Sequence, residues 1–575
     1  MLFFYNEHGD STGAVMVCIV SFFTHENKNL FRRGAWMMLN VVRSAAVLVA
    51  VLLSGGCADS SANRQPDTLR IRLKKDPATL DPARIVDLDG ARIAAKLYNT
   101  LVTFGDDLTV VPDLAASWTV SADRRTYTFF LRRGVRFHNG RELTAEDVRY
   151  SFERVLRPAT RSPRTWVLSR IAGARPFMEG RAERLAGLRA GGPYEIVIEL
   201  DEPFAPFLSL LGLTTASIIA RDTGEALTGD GGFHPCGTGP FAFKQWRHNQ
   251  WLQLERHEAF FCGRPAVTNI RYEIVPEDFT ALVAFEKGDL DLVPEIMAAD
   301  YDRLARDPRR RECFLRQPEL NTYYIGLNCR RAPFTDARVR RAMHHAIDKH
   351  RILATVLGGR GVPAVGPLPP ALRGTGGRER YPYDPDRARA LLRAAGYPDG
   401  FSMTLYQAAD AESLDILQAI QAYLTAVGIR MQLRQLEWSA FLDTVSSGEA
   451  QAFWLSWWAD YPDAENFLFP LFHSSTVGSG GNRCRFSDAA VDAALSGALQ
   501  IDDPERRRAA YRALEQDIVT LSPMVWCWHK SVTGIRQPWV EQVRIPALPV
   551  MEKFTAVRIG CRHEGRTPRE GVPGG

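Results

Sequence analysis

The chain has 575 residues, of which 45% are hydrophobic and 24% charged, and its net charge is +5 at pH 7. That length exceeds one ordinary domain, so two or more lobes are expected, with the composition of a globular protein. So small a net charge gives no electrostatic footprint for nucleic-acid binding, which needs a concentrated basic face.

Residues 1–57 read as an export region. Met37 to Arg43 is a short start with one positive charge, Ala45 to Leu53 is apolar but too short to span a bilayer, and Ser54-Gly55-Gly56 is a small-residue exit before Cys57. A second apolar patch, Ala14 to Phe23, lies upstream. Translation from Met37 or Met38 explains it; a two-helix membrane anchor is the alternative. Residues 58–65 are polar and read as a flexible tether, and residues 563–575 as a disordered tail. Seven cysteines follow Cys57 and none forms a CxxC pair, so zinc-ribbon and thioredoxin motifs are excluded. In an oxidising compartment some of them pair, and Cys236 with Cys262 is the expected bond.

Between these ends strand and helix signals alternate. Leu69, Ile71 and Leu73 alternate with basic residues as a period-2 strand. Trp118 to Val120 and Thr126 to Leu131 flank a turn and read as a hairpin. Thr144 opens a helix with Asp147 in its first turn and Val148, Phe152, Val155 and Leu156 on one face; Pro158 stops it. Gly237-Thr238-Gly239-Pro240 reads as a turn before the strand Phe241 to Phe243. Thr335 or Asp336 caps a further helix, and Asp384-Pro385 starts another that closes at Gly396. The pattern is α/β with mixed sheets.

Catalytic motifs are missing. From Cys57 onward there is no GxxxxGK loop, GxGxxG fingerprint, HExxH helix or GxSxG elbow. His344 and His345 are adjacent on a helix, so they point about a hundred degrees apart and do not share a metal. Asp106-Asp107 and Asp502-Asp503 sit in turn-like or cap-like surroundings. No catalytic residue, metal or cofactor is assigned, and a secreted hydrolase is disfavoured.

A collinear set of segments stands above this background: LDPARIVDLDGARIAAKLYNTLVTF from Leu80, PDLAASWTVSADRRTYTFFLRRGVRFHNG from Pro112, GTGPFAFKQW from Gly237, TYYIGLNCRRAPFTDARVRRAMHHAID from Thr322 and WWADYPDAENFLFPLF from Trp457. Together they resemble the peptide-, dipeptide- and nickel-binding family of substrate-binding proteins of ABC importers. The resemblance runs from about Leu69 to Val557. LLSGGC before the mature chain resembles a lipobox, with Ser54 where the pattern prefers leucine; lipidation would then fall on Cys57, and an ordinary cleaved signal is the other reading.

The resemblance implies a two-lobed periplasmic-binding-protein fold with a hinge of two crossing strands and an extra α/β domain. One lobe is expected at 66–110, 229–318 and 533–562, the extra domain at 111–228 and the second lobe at 319–532, with crossings near Glu319-Leu320-Asn321 and Val532-Thr533. It also implies that Asp460 pairs with the α-ammonium of a bound peptide. Ser456, Trp457, Trp458 and Tyr461 would wall the pocket, with contacts from Asp87, Leu88, Asp89 and Asn328. Read from the residues alone, the tryptophans are equally suited to a core, and Asp460 to capping a turn before Pro462. The implied protein is exported, monomeric, anchored to a membrane through lipid, and partnered by a short peptide and a permease. A nickel chelate, haem, sugar or opine ligand remains open, as does a sensory or chaperone-like role.

Overall fold

The alternation at Leu69, Ile71 and Leu73 folds as the strand Thr68–Leu73, with all three side chains buried. It organises the first lobe of the computed structural model, which describes residues 67–222, 233–373, 379–501 and 503–560. Thr68–Leu73 runs parallel to Asn269–Ile274, and the antiparallel strands Trp251–Arg256 and Phe241–Arg247 extend that side. On its other side Leu292–Val293 connects it to the long strand Met524–Arg536.

That long strand belongs to two lobes. Its last half pairs with Phe314–Pro318 in the first lobe, from Ser531 to Ile535. Its first half pairs with Asn321–Leu327 in the second, from Met524 to Trp528. The second lobe continues through Ala452–Trp458 and Phe401–Ala408 to Ile429–Leu436. The chain therefore crosses between lobes twice, once between Pro318 and Asn321 and once within the long strand near Lys530 and Ser531. Met524 to Trp528 is buried on both faces, as a strand covered by helices on both sides must be. The fold is a two-lobed α/β structure with mixed sheets.

A third unit carries its own sheet, Ala115–Val120, Thr126–Leu131, Glu195–Glu199 and Leu188–Gly192, all antiparallel. The expected hairpin is its first pair, with Arg124 at φ 60° in the turn. Helix Ala145–Leu156 starts where Asp147 accepts from both the backbone N–H and the hydroxyl of Thr144, each at 3.0 Å. Its apolar face enters a core with Phe129, Ile196 and Ile198. From the same helix Arg154 reaches Asp81 of the first lobe with two bonds of 2.7 and 2.6 Å.

Helix Ala337–Ala346 is capped by Asp336, and Pro385–Ala394 by Asp384, with Gly396 at φ 89° beyond it. The chain bends at Thr238 to Pro240 before strand Phe241–Arg247, as expected, and Gly237 and Gly239 also permit close approach: a Cβ on either would lie 2.1 Å from Leu97 O or 2.2 Å from Lys96 O. One expectation changes. Cys236 and Cys262 are not bonded. Cys236 is buried in the third unit's core while Cys262 is exposed and keeps its thiol, so the two sulfurs face different surroundings. Cys57, the tether and the tail lie outside the described residues.

Candidate functional site

The second lobe contributes one wall of a cleft. Strand Ala452–Trp458 pairs with Asn321–Leu327 along its whole length. On its opposite edge Phe401–Ala408 reaches only Ala452 and Phe453, so among the described residues Trp454 to Trp458 have no ladder partner there. Past the strand, the Ala459 N–H donates to Leu320 O at 2.8 Å. That bond carries the pairing one residue beyond the strand, and Glu319 and Asp460, the next residues on either side, both line the cleft. Side chains two apart on a strand share a face, so Trp458 and Asp460 face the cleft together. Trp458 is 45% exposed, unusual for so large an apolar group.

The loop after this strand is pinned by Asn466. Its side-chain oxygen accepts from the Asp460 N–H at 2.9 Å, and its carbonyl accepts from Trp457 Nε1 at 2.7 Å. Trp457 therefore packs toward the second-lobe core, and Ser456 Oγ accepts from Trp458 Nε1 at 3.1 Å. Tyr461 is 5% exposed and inserts into the apolar cluster of the third unit, beside Trp166, with its hydroxyl bonded to Glu465. Burial raises the Glu465 carboxyl to about 7.

The first lobe supplies the facing wall through Ile85 to Leu88. Asp87 caps helix Leu88–Leu97, its Oδ1 accepting from Gly90 N at 2.6 Å, while its Oδ2 has no hydrogen-bond partner among the described residues. Val86 and Leu88 are exposed apolar side chains. The third unit closes the side with Arg164 and Leu213 to Thr215, leaving a cavity of about 500 Å³ among these groups.

Of the residues expected at a site, this cavity brings together Asp87, Leu88, Trp458 and Asp460. Asp89 faces an adjoining cavity of about 430 Å³, near Arg92 at 3.7 Å, and burial raises its carboxyl. Asn328 stands apart. It is buried and holds a loop, donating to Gly448 O at 3.1 Å and accepting from Arg330 N at 3.1 Å.

Two charged residues outside the expected set also line this cavity, Arg164 and Glu319. Arg164 Nη1 meets Asp460 Oδ1 at 3.1 Å, a pair 30% and 42% exposed. Nothing local in the sequence separates Arg164 from its neighbouring arginines. Glu319 lines the same cavity; it was read as hinge, and the signal available was a carboxylate at a crossing. Burial, with Glu295 nearby, raises its carboxyl to about 8. Elsewhere His344 is buried against Tyr381, its Nε2 donating to Met524 O at 2.9 Å, and burial holds it neutral.

Known proteins match this architecture. The family model for bacterial extracellular solute-binding proteins, family 5 middle, matches residues 109–479. The chain is 31% identical over 528 residues to di/tripeptide-binding protein 2 of Pseudomonas aeruginosa, covering 86% of this chain and 96% of that one. It is 30% identical to heme-binding protein A of Haemophilus influenzae, covering 84% and 93%. Among solved structures, the unliganded open form of the periplasmic murein tripeptide binding protein MppA superposes with a TM-score of 0.75 at 25% identity, over 86% of this chain and 98% of that one. DppA of Helicobacter pylori in complex with the peptide STSA gives 0.68 at 26% identity, over 86% and 98%. These relatives are binding proteins. The chain belongs to the bacterial extracellular solute-binding proteins of family 5.

Proposed function

We propose that the protein captures short peptides in the periplasm, between its two lobes, and hands them to the permease of an ABC importer. The observation that carries this reading is the wall made by strand Ala452–Trp458: an edge without a ladder partner, an exposed indole and a carboxylate at its end. An extended peptide adds to such an edge through its backbone, which is independent of side-chain sequence. Asp460 then takes the α-ammonium. An enclosed ammonium loses its water and needs a charge partner; at about 4 Å and an effective dielectric near 20, the attraction is roughly 4 kcal/mol before desolvation is subtracted. Arg164 already places a cation on Asp460, and the ligand ammonium takes its place. Val86, Leu88 and Trp458 offer apolar surface to variable side chains.

The ligand bridges both lobes and so favours the closed arrangement, which the permease recognises. The protein leaves its ligand chemically unchanged and acts as a monomer held to a membrane by lipid on Cys57. Haem is the less suited cargo: among the described residues lining this cavity there is no histidine, cysteine, methionine or tyrosine to ligate iron.

Thermal unfolding tests the reading with trialanine and N-acetyl-trialanine. Trialanine raises Tm and the acetylated form, which lacks the ammonium, does not. Equal shifts would reject Asp460 as the ammonium partner, and a shift with haemin alone would reject the peptide reading.

A further inference from the structure

Glu319 is the charged group of the cleft that the reading above leaves unused. Its carboxylate accepts from Asn321 Nδ2 at 3.1 Å, and among the described residues no cation lies within ion-pair distance of it. The basic groups nearby are engaged elsewhere. Lys530 Nζ lies 2.7 Å from Glu412, Arg92 leans toward Asp89 and Glu552, and Arg164 holds Asp460. Glu295 adds a like charge from the segment after Leu292–Val293, and Tyr323 faces the carboxyl from the next strand. Lys530 and Arg92 act on this acid from beyond ion-pair distance, and burial outweighs them.

The register places it. Asn321 pairs with Trp458, and the Leu320–Ala459 bond carries the ladder one step on. Glu319 and Asp460 thus lie just beyond the ends of neighbouring strands and line one cavity, with the exposed Trp458 beside them. A ligand whose α-ammonium sits on Asp460 presents its first side chain toward Glu319. The apolar stem of that side chain lies along Trp458 and Leu88, as lysine and arginine stems do on apolar surface.

We propose that Glu319 is a specificity-determining residue that selects peptides with a basic first residue, a choice that rests on the peptide reading above. The carboxyl is raised to about 8, so near neutral pH the cation displaces a proton as it binds. The preference for a basic over an apolar first residue, the α-ammonium being common to both peptides, therefore rises with pH, by up to about tenfold per unit below pH 8, and levels off above it.

Titration calorimetry of the full chain with Lys-Ala-Ala and norleucine-Ala-Ala tests this, run across that pH range in two buffers of different ionisation enthalpy. The lysine peptide is expected to bind at least about tenfold tighter at pH 8 and to release close to one proton near pH 7. In Glu319→Gln the two peptides bind with equal affinity and the proton release disappears. Equal affinities in the native protein, or a preference that survives Glu319→Gln, would overturn the proposal. Cadaverine, the lysine skeleton without its carboxylate, separates the two readings. Glu319-dependent cadaverine binding with no peptide binding keeps the cation site and rejects the peptide reading; no binding of either rejects both.

Discussion

Arg154 and Arg164 leave the same four-stranded unit and meet the two lobes in different ways. Arg154 holds Asp81 of the first lobe through two parallel bonds, with the pair 16% and 5% exposed. Arg164 touches Asp460 of the second lobe through one bond of 3.1 Å, with both side chains partly in solvent. A paired buried carboxylate is costly to strip of its partner, whereas an exposed single-point pair contributes little. The unit is therefore riveted to the first lobe and only clasped to the second. That asymmetry suits a clamp in which one side opens.

The largest effect should come from the rivet. Arg154→Ala leaves Asp81 buried without its cation and is expected to cost about 3–5 kcal/mol in urea unfolding. Replacing both partners, Arg154→Met with Asp81→Leu, should recover most of that loss. A loss below 1 kcal/mol in the single variant would remove the distinction between rivet and clasp.

Next is the apolar part of the clasp. Tyr461 lies in the core cluster of the third unit although it belongs to the second-lobe loop. Tyr461→Ala is expected to cost about 3 kcal/mol and to speed hydrogen exchange at Trp166 and the 458–465 loop. Unchanged exchange there would mean that Tyr461 does not hold the lobes together.

Arg164→Ala should change stability by less than about 1 kcal/mol, yet raise affinity for peptides with a free ammonium several-fold by removing the competing cation. A weaker affinity would make Arg164 a ligand contact instead. The last effect is a slope with pH. Because the Glu319 carboxyl is raised in the folded state, the folded protein binds the extra proton. The stability this gives is fully present below about pH 4.5 and is lost as pH rises through about 8. Glu319→Gln should flatten that trend in unfolding experiments at several pH values; an unchanged slope would place Glu319 in a more solvated setting.

Local signals carried much of the fold. Thr144 with Asp147, Asp336, and Asp384 with Pro385 each mark a helix start through contacts within a few residues, so they are readable in order along the chain. Gly237 and Gly239 were visible as turn glycines but not for the close approach they permit, since the atoms they make room for belong to Lys96 and Leu97. The cleft was readable only by resemblance. The Arg164–Asp460 pair joins residues separated by 296 positions, and no periodicity reports a contact of that range. Asn328 sits at the end of a strand that reaches the cleft at its other end, so its position in the strand was legible and its distance from the cavity was not. Tyr461 follows Asp460 directly, yet the turn sends its ring into a different core.

The central claim is that this cleft holds peptides by their ammonium at Asp460. A native mass spectrum of the protein purified from its producing cells, recorded beside Asp460→Ala and followed by dissociation of what is bound, tests it most directly. The account predicts a ladder of short-peptide masses on the native protein and their loss from the variant. Peptides carried equally by both would contradict the role of Asp460, and a haem, metal-chelate or sugar mass in place of peptides would contradict the account itself.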